Sequence, residues 1–335
     1  MFKEMLKELL YCYGPTGREK RIGELLKSLV APYCDEVYND ALGNLIAHKK
    51  GSSGKKVMLS AHMDQIGLIV VDIRENGFLR VSNVGGVSTP ISIAREVVFE
   101  NGTRGVTYFE TEKETVGTAQ LAHLFIDIGA ESREQASKLV EIGDIAVYAG
   151  NFAEMGGRFS CGALDDRLGC AVIVEALKNL ETKHDLYVVF TVQEEVGLRG
   201  ASTAAYSVHP DFSINLDVTR TGDTPKSARM SVSLGKGPAV KVMDSTSIIP
   251  ACVRDFIYRC AEKADIPVQN EVLRGGGTDT GAILKTKGGI LAGCISIPTR
   301  YVHTPVETAD MNDVENAVKL VCALLAEEEL PKAGN

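Results

Sequence analysis

The chain has 335 residues, of which 44% are hydrophobic and 24% are charged. This composition is typical of a folded globular protein and excludes a disordered or fibrous chain. At roughly 150 residues per domain, the length favours two domains or one domain with a large insertion. The 36 Lys and Arg residues against 44 Asp and Glu residues give a net charge of −8. That charge argues against nucleic acid or an anionic membrane surface as a partner.

The amino-terminal segment does not fit an export signal, because four charged residues lie between positions 3 and 8. No apolar run reaches the roughly 18 residues that a membrane span needs. The eight cysteines show no C-x-x-C spacing, which is typical of reduced cysteines packed in the interior. We therefore expect a cytoplasmic protein that does not bind membranes.

The first part of the chain predicts two helices followed by two strands. Apolar residues recur at helical spacing from Phe2 to Leu10, and Gly14-Pro15-Thr16-Gly17 predicts the end of that helix. A second helix is predicted from about Arg18 to Val30, and strands are predicted at Leu45–His48 and Val57–Ala61.

Between Gly67 and Tyr148 the pattern changes to short β-rich runs separated by turn signals. Turns are predicted at Asn76-Gly77, Gly85-Gly86 and Asn101-Gly102, and one helix is predicted from Ser132 to Val140. This pattern predicts a small β domain.

After Gly162, helices and strands alternate again. Helices are predicted near 167–180, 202–207, 250–263 and 311–328, and strands near 186–192, 212–217, 268–273 and 290–297. Such alternation is typical of an α/β fold with a mostly parallel sheet that helices cover on both faces. We predict one discontinuous α/β domain, formed by residues 1–66 and 159–335, with an inserted β-rich domain at residues 67–158.

Two residues suited to metal binding, His62 and Asp64, directly follow the strand Val57–Ala61. Residues two apart in an extended segment face the same side, so we expect both side chains at one site. A carboxylate beside an imidazole is the usual orienting partner of a metal-binding His. The H-x-D pattern alone also fits a surface His near an Asp.

Adjacent carboxylates occur at Asp165-Asp166, which opens a predicted helix, and at Glu194-Glu195, which follows an apolar strand. The first pair also fits a simple helix cap, because carboxylates gain from the helix dipole. The second pair is costly beside a buried strand end unless a cation or a proton compensates the charge.

Asp217 and His303 likewise follow apolar strands. Open α/β sheets place their sites at the carboxyl ends of the strands. We therefore expect all these acidic and His residues to meet in one site.

The sequence lacks the motifs of nucleotide binding and of serine-nucleophile catalysis. The glycine-rich segment 275–281 lacks the spacing of nucleotide-binding loops, and the chain has no G-x-S-x-G nucleophile elbow. Lys241, Arg274 and Arg300 are candidates for contacting an acidic substrate side chain, but we interpret each as a surface charge.

Six stretches, in this order along nearly the whole chain, resemble the tetrahedral or TET aminopeptidases of metallopeptidase family 42. They are Ala61–Asp64, Ala163–Arg167, Gln193–Gly197, Leu216–Thr219, Gly276–Asp279 and His303–Glu307. The resemblance implies a fold of the dinuclear-zinc exopeptidase type with an inserted, β-barrel-like dimerisation domain. It also implies homo-oligomers in which dimers assemble into tetrahedral dodecamers.

The resemblance further implies two divalent metal ions per subunit, Zn²⁺ or Co²⁺. The implied ligands are Asp165, which bridges both ions, His62 and Asp217 at one ion, and Glu195 and His303 at the other. Glu194 is the implied general base, and Asp64 is implied to orient His62. Ligands of these types suit Zn²⁺ or Co²⁺ better than Mg²⁺.

The expected function is a metal-dependent aminopeptidase that removes N-terminal residues from peptide substrates. Two alternatives stay open. A glycan hydrolase of the endoglucanase type would use two carboxylates, but it gives the two His residues no role. A catalytically silent shell or peptide-binding subunit would keep the fold without turnover.

Overall fold

A computed structural model describes residues 2–112 and 114–334 of the chain. Within these ranges, none of the helices combines the length and the apolar character that crossing a bilayer requires. The helices are α1 Phe2–Tyr11, α2 Lys20–Val30, α3 Thr89–Ser92, α4 Arg133–Ser137, α5 Leu164–Leu177, α6 Arg199–Val208, α7 Ala251–Lys263, α8 Asp279–Leu284 and α9 Met311–Ala326.

The strands divide between one large sheet and one closed barrel. Those of the large sheet are β1 Glu36–Asn39, β2 Leu45–Lys49, β3 Lys56–His62, β10 Ala153–Met155, β11 Arg158–Cys161, β12 Asp185–Thr191, β13 Phe212–Thr219, β14 Ala239–Met243, β15 Gln269–Val272, β16 Leu291–Arg300 and β17 Glu307–Asp310. Those of the barrel are β4 Gly67–Ile73, β5 Leu79–Val84, β6 Glu96–Phe99, β7 Arg104–Phe109, β8 Leu124–Asp127 and β9 Ile145–Tyr148.

The centre of the large sheet is parallel, in the order β12-β3-β13-β16. Antiparallel strands flank this centre, with β2 and β1 on one side and β17, β11 and β10 on the other. The predicted α/β fold with a parallel sheet is therefore confirmed, and the antiparallel pairs lie outside the four parallel strands.

Alternate residues of the central strands pack against helices on opposite faces of the sheet. Along β3, Val57 and Leu59 belong to the core shared with α1, α2, α5, α7 and α9. Met58 points to the other face, where it packs in a cluster with residues of α6 and α8. Because both faces are covered, apolar residues of these strands point to both sides of the sheet, as expected for buried parallel strands.

The barrel closes in the order β4-β5-β8-β7-β6-β9, and it encloses a separate apolar core that includes Leu68, Leu79 and Ile126. Each barrel pairing is antiparallel. The alternation of buried and more exposed residues is typical of an antiparallel sheet with one face exposed to solvent. The exact limits of an inserted domain at 67–158 stay a prediction. One strand in that range, Ala153–Met155, pairs with β11 and extends the large sheet.

Candidate metal centre

The carboxyl ends of β3 and β12 are aligned, because His62 and Thr191 are register partners in the parallel pair. His62 ends β3, and Glu194 and Glu195 follow β12 after a short turn. Asp217 lies near the end of β13, beside β3. The large sheet therefore brings side chains from three consecutive strand ends to one edge.

One group of potential metal ligands consists of His62, Asp165 and Asp217, whose ligand atoms lie within 4.8 Å of one another. The Nε2 atom of His62 is 2.9 Å from Oδ1 of Asp165 and 4.0 Å from Oδ1 of Asp217. All three side chains are buried.

A second group consists of Asp165, Glu195 and His303, again within 4.8 Å of one another. The Nε2 atom of His303 is 3.2 Å from Oδ2 of Asp165 and 3.3 Å from Oε2 of Glu195. Asp165 thus belongs to both groups and presents a different oxygen to each His. The structure brings together all five residues that the sequence analysis named as ligands.

Each His is oriented by a backbone carbonyl. The Nδ1 atom of His62 lies 3.1 Å from the carbonyl oxygen of Asp64, and that of His303 lies 3.1 Å from the carbonyl oxygen of Gly86. A carbonyl only accepts hydrogen bonds, so each Nδ1 carries a proton and Nε2 is the ring nitrogen left to bind a metal. This is the arrangement in which His binds a metal through Nε2.

The acidic loop, residues 193–197, is held by Asp64. The carboxylate of Asp64 accepts the backbone N–H of Glu194 at 3.0 Å and that of Glu195 at 3.4 Å. Its Oδ1 atom lies 3.6 Å from Nδ1 of His62. Asp64 therefore contacts His62 mainly through its backbone oxygen, while its carboxylate fixes the loop that carries the two glutamates.

Asp165 and Asp166 have different surroundings although they are adjacent. Asp165 has non-helical dihedral angles and faces the two His residues. Asp166 accepts the backbone N–H of Gly169 at 3.0 Å, which is the bond made by a helix-capping side chain. The interpretation as a helix cap is correct for Asp166 alone.

The charges of the site are unbalanced in the protein itself. Burial raises the pKa of Glu194, Asp217 and Asp166 well above the ordinary values, and neighbouring carboxylates reinforce the rise. Burial opposes protonation of His303, but the hydrogen bond with Asp165 and the charge of Glu195 outweigh it and raise the His303 pKa to about 10. Such a cluster favours bound positive charge, whether as protons or as metal cations.

The family model of the M42 glutamyl aminopeptidases matches residues 43–320. The chain belongs to this family. A candidate aminopeptidase of Acetivibrio thermocellus is 50% identical to this M42 protein over 319 residues, which cover 95% of this chain and 96% of that one.

Solved structures of other proteins share the whole fold. An aminopeptidase from the archaeon Desulfurococcus kamchatkensis has a TM-score of 0.94 at 40% identity, covering 97% of this chain and 94% of that one. The TET1 peptidase of Pyrococcus horikoshii, described as able to assemble into a tetrahedron or a large octahedral shell, has a TM-score of 0.87 at 35% identity, covering 98% and 100%. A Thermotoga maritima protein named as an endoglucanase has a TM-score of 0.82 at 34% identity, covering 96% of each chain.

The M42 site contains two contributors that the sequence analysis did not single out. Glu307 is buried and accepts the backbone N–H groups of His303 and Asp165. Gly86, from the barrel segment, lies so close to His303 that a Cβ atom there would be 2.5 Å from Nδ1. The Gly85-Gly86 pair was a visible signal, but it predicted only a turn.

A cavity of about 330 Å³ opens on the two groups of potential metal ligands. One wall is the glycine-rich segment 275–277, which the sequence analysis excluded only as a nucleotide-binding loop. Arg220 also lines the cavity, and no ion pair of it is found among the described residues. Among the described residues that line this cavity, it is the only Lys or Arg.

The interpretation of Lys241 as a surface charge was wrong. Lys241 is fully buried and forms an ion pair with Glu271, because a buried ammonium requires a charged partner. Arg300 is largely buried and forms a bidentate ion pair with Asp223, with hydrogen bonds of 2.9 and 2.7 Å. Arg274 is exposed, as predicted.

Proposed function

We propose that this protein is a metal-dependent aminopeptidase that hydrolyses N-terminal residues from peptides. The observation that carries the proposal is the sharing of Asp165 between two groups of potential metal ligands. The family membership of the chain supports the aminopeptidase activity. The cavity that opens on both groups supplies a binding space for the substrate.

The donor atoms fit two divalent cations. His62 and Asp217 would hold one ion, Glu195 and His303 would hold the other, and Asp165 would bridge them. Nitrogen and carboxylate donors favour Zn²⁺ or Co²⁺. When bound, such a pair supplies Lewis-acid polarisation of the scissile carbonyl and lowers the pKa of a bound water.

Glu194 is the proposed general base. Its side chain lines the cavity but belongs to neither group of potential ligands, so its carboxylate is free to exchange protons. It would take a proton from the attacking water and deliver it to the leaving amine. The Asp64 carboxylate accepts the backbone N–H groups of Glu194 and Glu195 and so fixes the loop that carries the base. Asp64 thereby positions Glu194 as well as His62.

We also propose that the protein works in the cytoplasm as a homo-oligomer built from dimers. All eight cysteines are unpaired thiols, which suits a reducing compartment. The assembly described for the Pyrococcus horikoshii relative supports a closed shell for this chain, and light scattering of the purified protein measures its size.

The test is hydrolysis of a broad panel of aminoacyl-nitroanilides by the purified protein, with and without added Zn²⁺ or Co²⁺. We expect metal-dependent release of nitroaniline and its loss on chelation. Absence of both turnover and metal binding would contradict the proposal.

Assays on the same purified protein distinguish two alternatives. A glycan hydrolase would release sugar from a glucan in the presence of a chelator, but its mechanism uses no His ligands. The endoglucanase name of the Thermotoga maritima structure is the observation behind this second candidate. A silent shell subunit would bind metal and cleave none of the peptides.

A further inference from the structure

A buried carboxylate outside the proposed ligand groups contacts the acidic loop. Glu19 lies just before α2, is only 9% exposed, and is 174 residues away in sequence from Gln193. Its Oε1 atom accepts the backbone N–H of Gly17 at 2.7 Å and that of Gln193 at 3.3 Å. Glu19 therefore links the α1–α2 connection, residues 12–19, to the first residue of the acidic loop.

Three consecutive N–H groups of the acidic loop donate to only two carboxylates. The N–H of Gln193 donates to Glu19, and those of Glu194 and Glu195 donate to Asp64. Two carboxylates from separate parts of the chain thus determine the path of the backbone at the base.

This support is needed because Gln193 adopts the left-handed conformation, with φ of +56°. A residue with a Cβ atom disfavours that region, so surrounding contacts must hold it there. The turn at Gln193 decides the direction in which the next side chain, Glu194, leaves the backbone. A hydrogen-bond acceptor for the N–H of Gln193 therefore affects the direction of the Glu194 side chain.

The α1–α2 connection is itself firmly attached to the site. The hydroxyl of Thr16 donates to Oδ2 of Asp64 at 2.7 Å, and the backbone N–H of Thr16 donates to the carbonyl of Gln65 at 3.1 Å. The same short segment therefore carries Glu19 and contacts Asp64. Movement of Glu19 relative to Asp64 is restricted by these bonds.

We propose that Glu19 is a positioning residue that fixes the turn at Gln193 and so aims the carboxylate of Glu194 at the attacking water. This role rests on the proposed function of Glu194. It acts through the accepting oxygen of Glu19, not through contact with substrate or metal.

The test compares Glu19→Met, which keeps the length but removes the acceptor, with Glu19→Gln, which keeps an accepting oxygen. We expect Glu19→Met to lower kcat by about 10- to 100-fold, the cost of a displacement of about 1 Å at a reacting group. KM and bound metal should stay at wild-type values, and Glu19→Gln should recover most of the lost kcat. Glu24→Met is the matched control, because Glu24 is an exposed glutamate on α2, the helix that begins directly after Glu19.

Several outcomes would overturn the proposal. One is a wild-type kcat in Glu19→Met, and another is loss of bound metal in that variant. The others are a fall of kcat in Glu19→Gln or in Glu24→Met as large as that in Glu19→Met. If Glu19→Met does not fold, Glu19→Asp replaces it, because withdrawal of the carboxylate by one methylene should cause the same loss of kcat. A wild-type protein that cleaves no peptide would instead refute the proposed function itself.

Discussion

Glu307 accepts the backbone N–H of Asp165 at 3.1 Å across 142 residues of sequence. The other carboxylate oxygen of Glu307 accepts the backbone N–H of His303 at 2.7 Å. One buried side chain therefore sets the separation between two residues of the second ligand group. Neither bond uses a ligand atom, so Glu307 acts on the position of the ligands and leaves their donor atoms free.

Removal of this side chain should weaken metal binding. We expect Glu307→Ala to lower the affinity for Zn²⁺ or Co²⁺ by about 10- to 100-fold, as is typical when a group that orients metal ligands is lost. Titration of the metal-free protein, with bound metal measured after dialysis, provides the affinity. Val306→Ala is the control, since Val306 is 51% exposed and adjacent in sequence. Equal affinities in the wild type and Glu307→Ala would refute the role of Glu307.

Glu194 and Glu195 are adjacent, but only Glu195 belongs to a ligand group. We expect Glu194→Gln to retain bound metal and to lose about 100- to 10,000-fold in kcat, because an amide cannot accept the proton of the attacking water. Kinetics and metal content measured on one preparation test this. Glu195→Gln should lose metal as well as turnover. The opposite pattern in the two variants would show that their roles are exchanged.

The strand ends of the site were predictable from local sequence. An apolar strand with His62 or Asp217 at or near its carboxyl end places that side chain at the carboxyl edge of the sheet, where α/β folds have their sites. The family motifs then supplied the grouping of the ligands. The acidic loop was visible for a similar reason, since two carboxylates beside a buried strand end require compensation.

The supporting residues could not be read from the sequence. Glu307 and Glu19 accept backbone N–H groups that are 142 and 174 residues away in sequence, and the carbonyl oxygen of Gly86 contacts the His303 ring, 217 residues away. No local pattern reports such a distance, because tertiary packing alone decides which backbone N–H a carboxylate reaches. Lys241 shows the same limit, since only the position of Glu271 on the neighbouring strand makes its burial possible.

The cavity should favour substrates whose first residue is acidic. Arg220 lines the cavity without an ion-pair partner among the described residues, and a guanidinium binds carboxylates through two parallel hydrogen bonds. We expect Arg220→Ala to lower kcat/KM for a glutamyl substrate by about 10-fold, the value of one charge-assisted hydrogen bond, and to leave a leucyl substrate unchanged. Parallel kinetics with both nitroanilides measure the ratio.

Arg274→Ala is the matched control for Arg220. Arg274 is exposed beside the cavity, between residues 273 and 275 of its wall, but does not itself line it. The glutamyl-to-leucyl ratio should therefore stay at the wild-type value in this variant. If Arg220→Ala lowered kcat/KM equally for both substrates, Arg220 would contact the peptide backbone and would not select the first side chain.

The pair between Asp223 and Arg300 should make stability depend on pH. Burial opposes ionisation of Asp223, but the hydrogen bonds from Arg300 outweigh it and hold the Asp223 pKa well below its usual range. A carboxyl group with a lowered folded-state pKa stabilises the protein above its unfolded pKa of about 4, and this contribution disappears as the pH falls further. Asp223→Asn should therefore cost about 1 kcal/mol at pH 7.

The measurement is the thermal unfolding midpoint of the wild type and Asp223→Asn between pH 7 and pH 3. We expect the variant to unfold about 1–3 °C lower at pH 7, with the difference shrinking below about pH 4 as Asp223 gains a proton in the unfolded wild type. Glu36→Gln is the control, because the Glu36–Lys50 pair is exposed and contributes little. A difference that stays constant down to pH 3 would show that Asp223 stabilises the fold by packing and not through its charge.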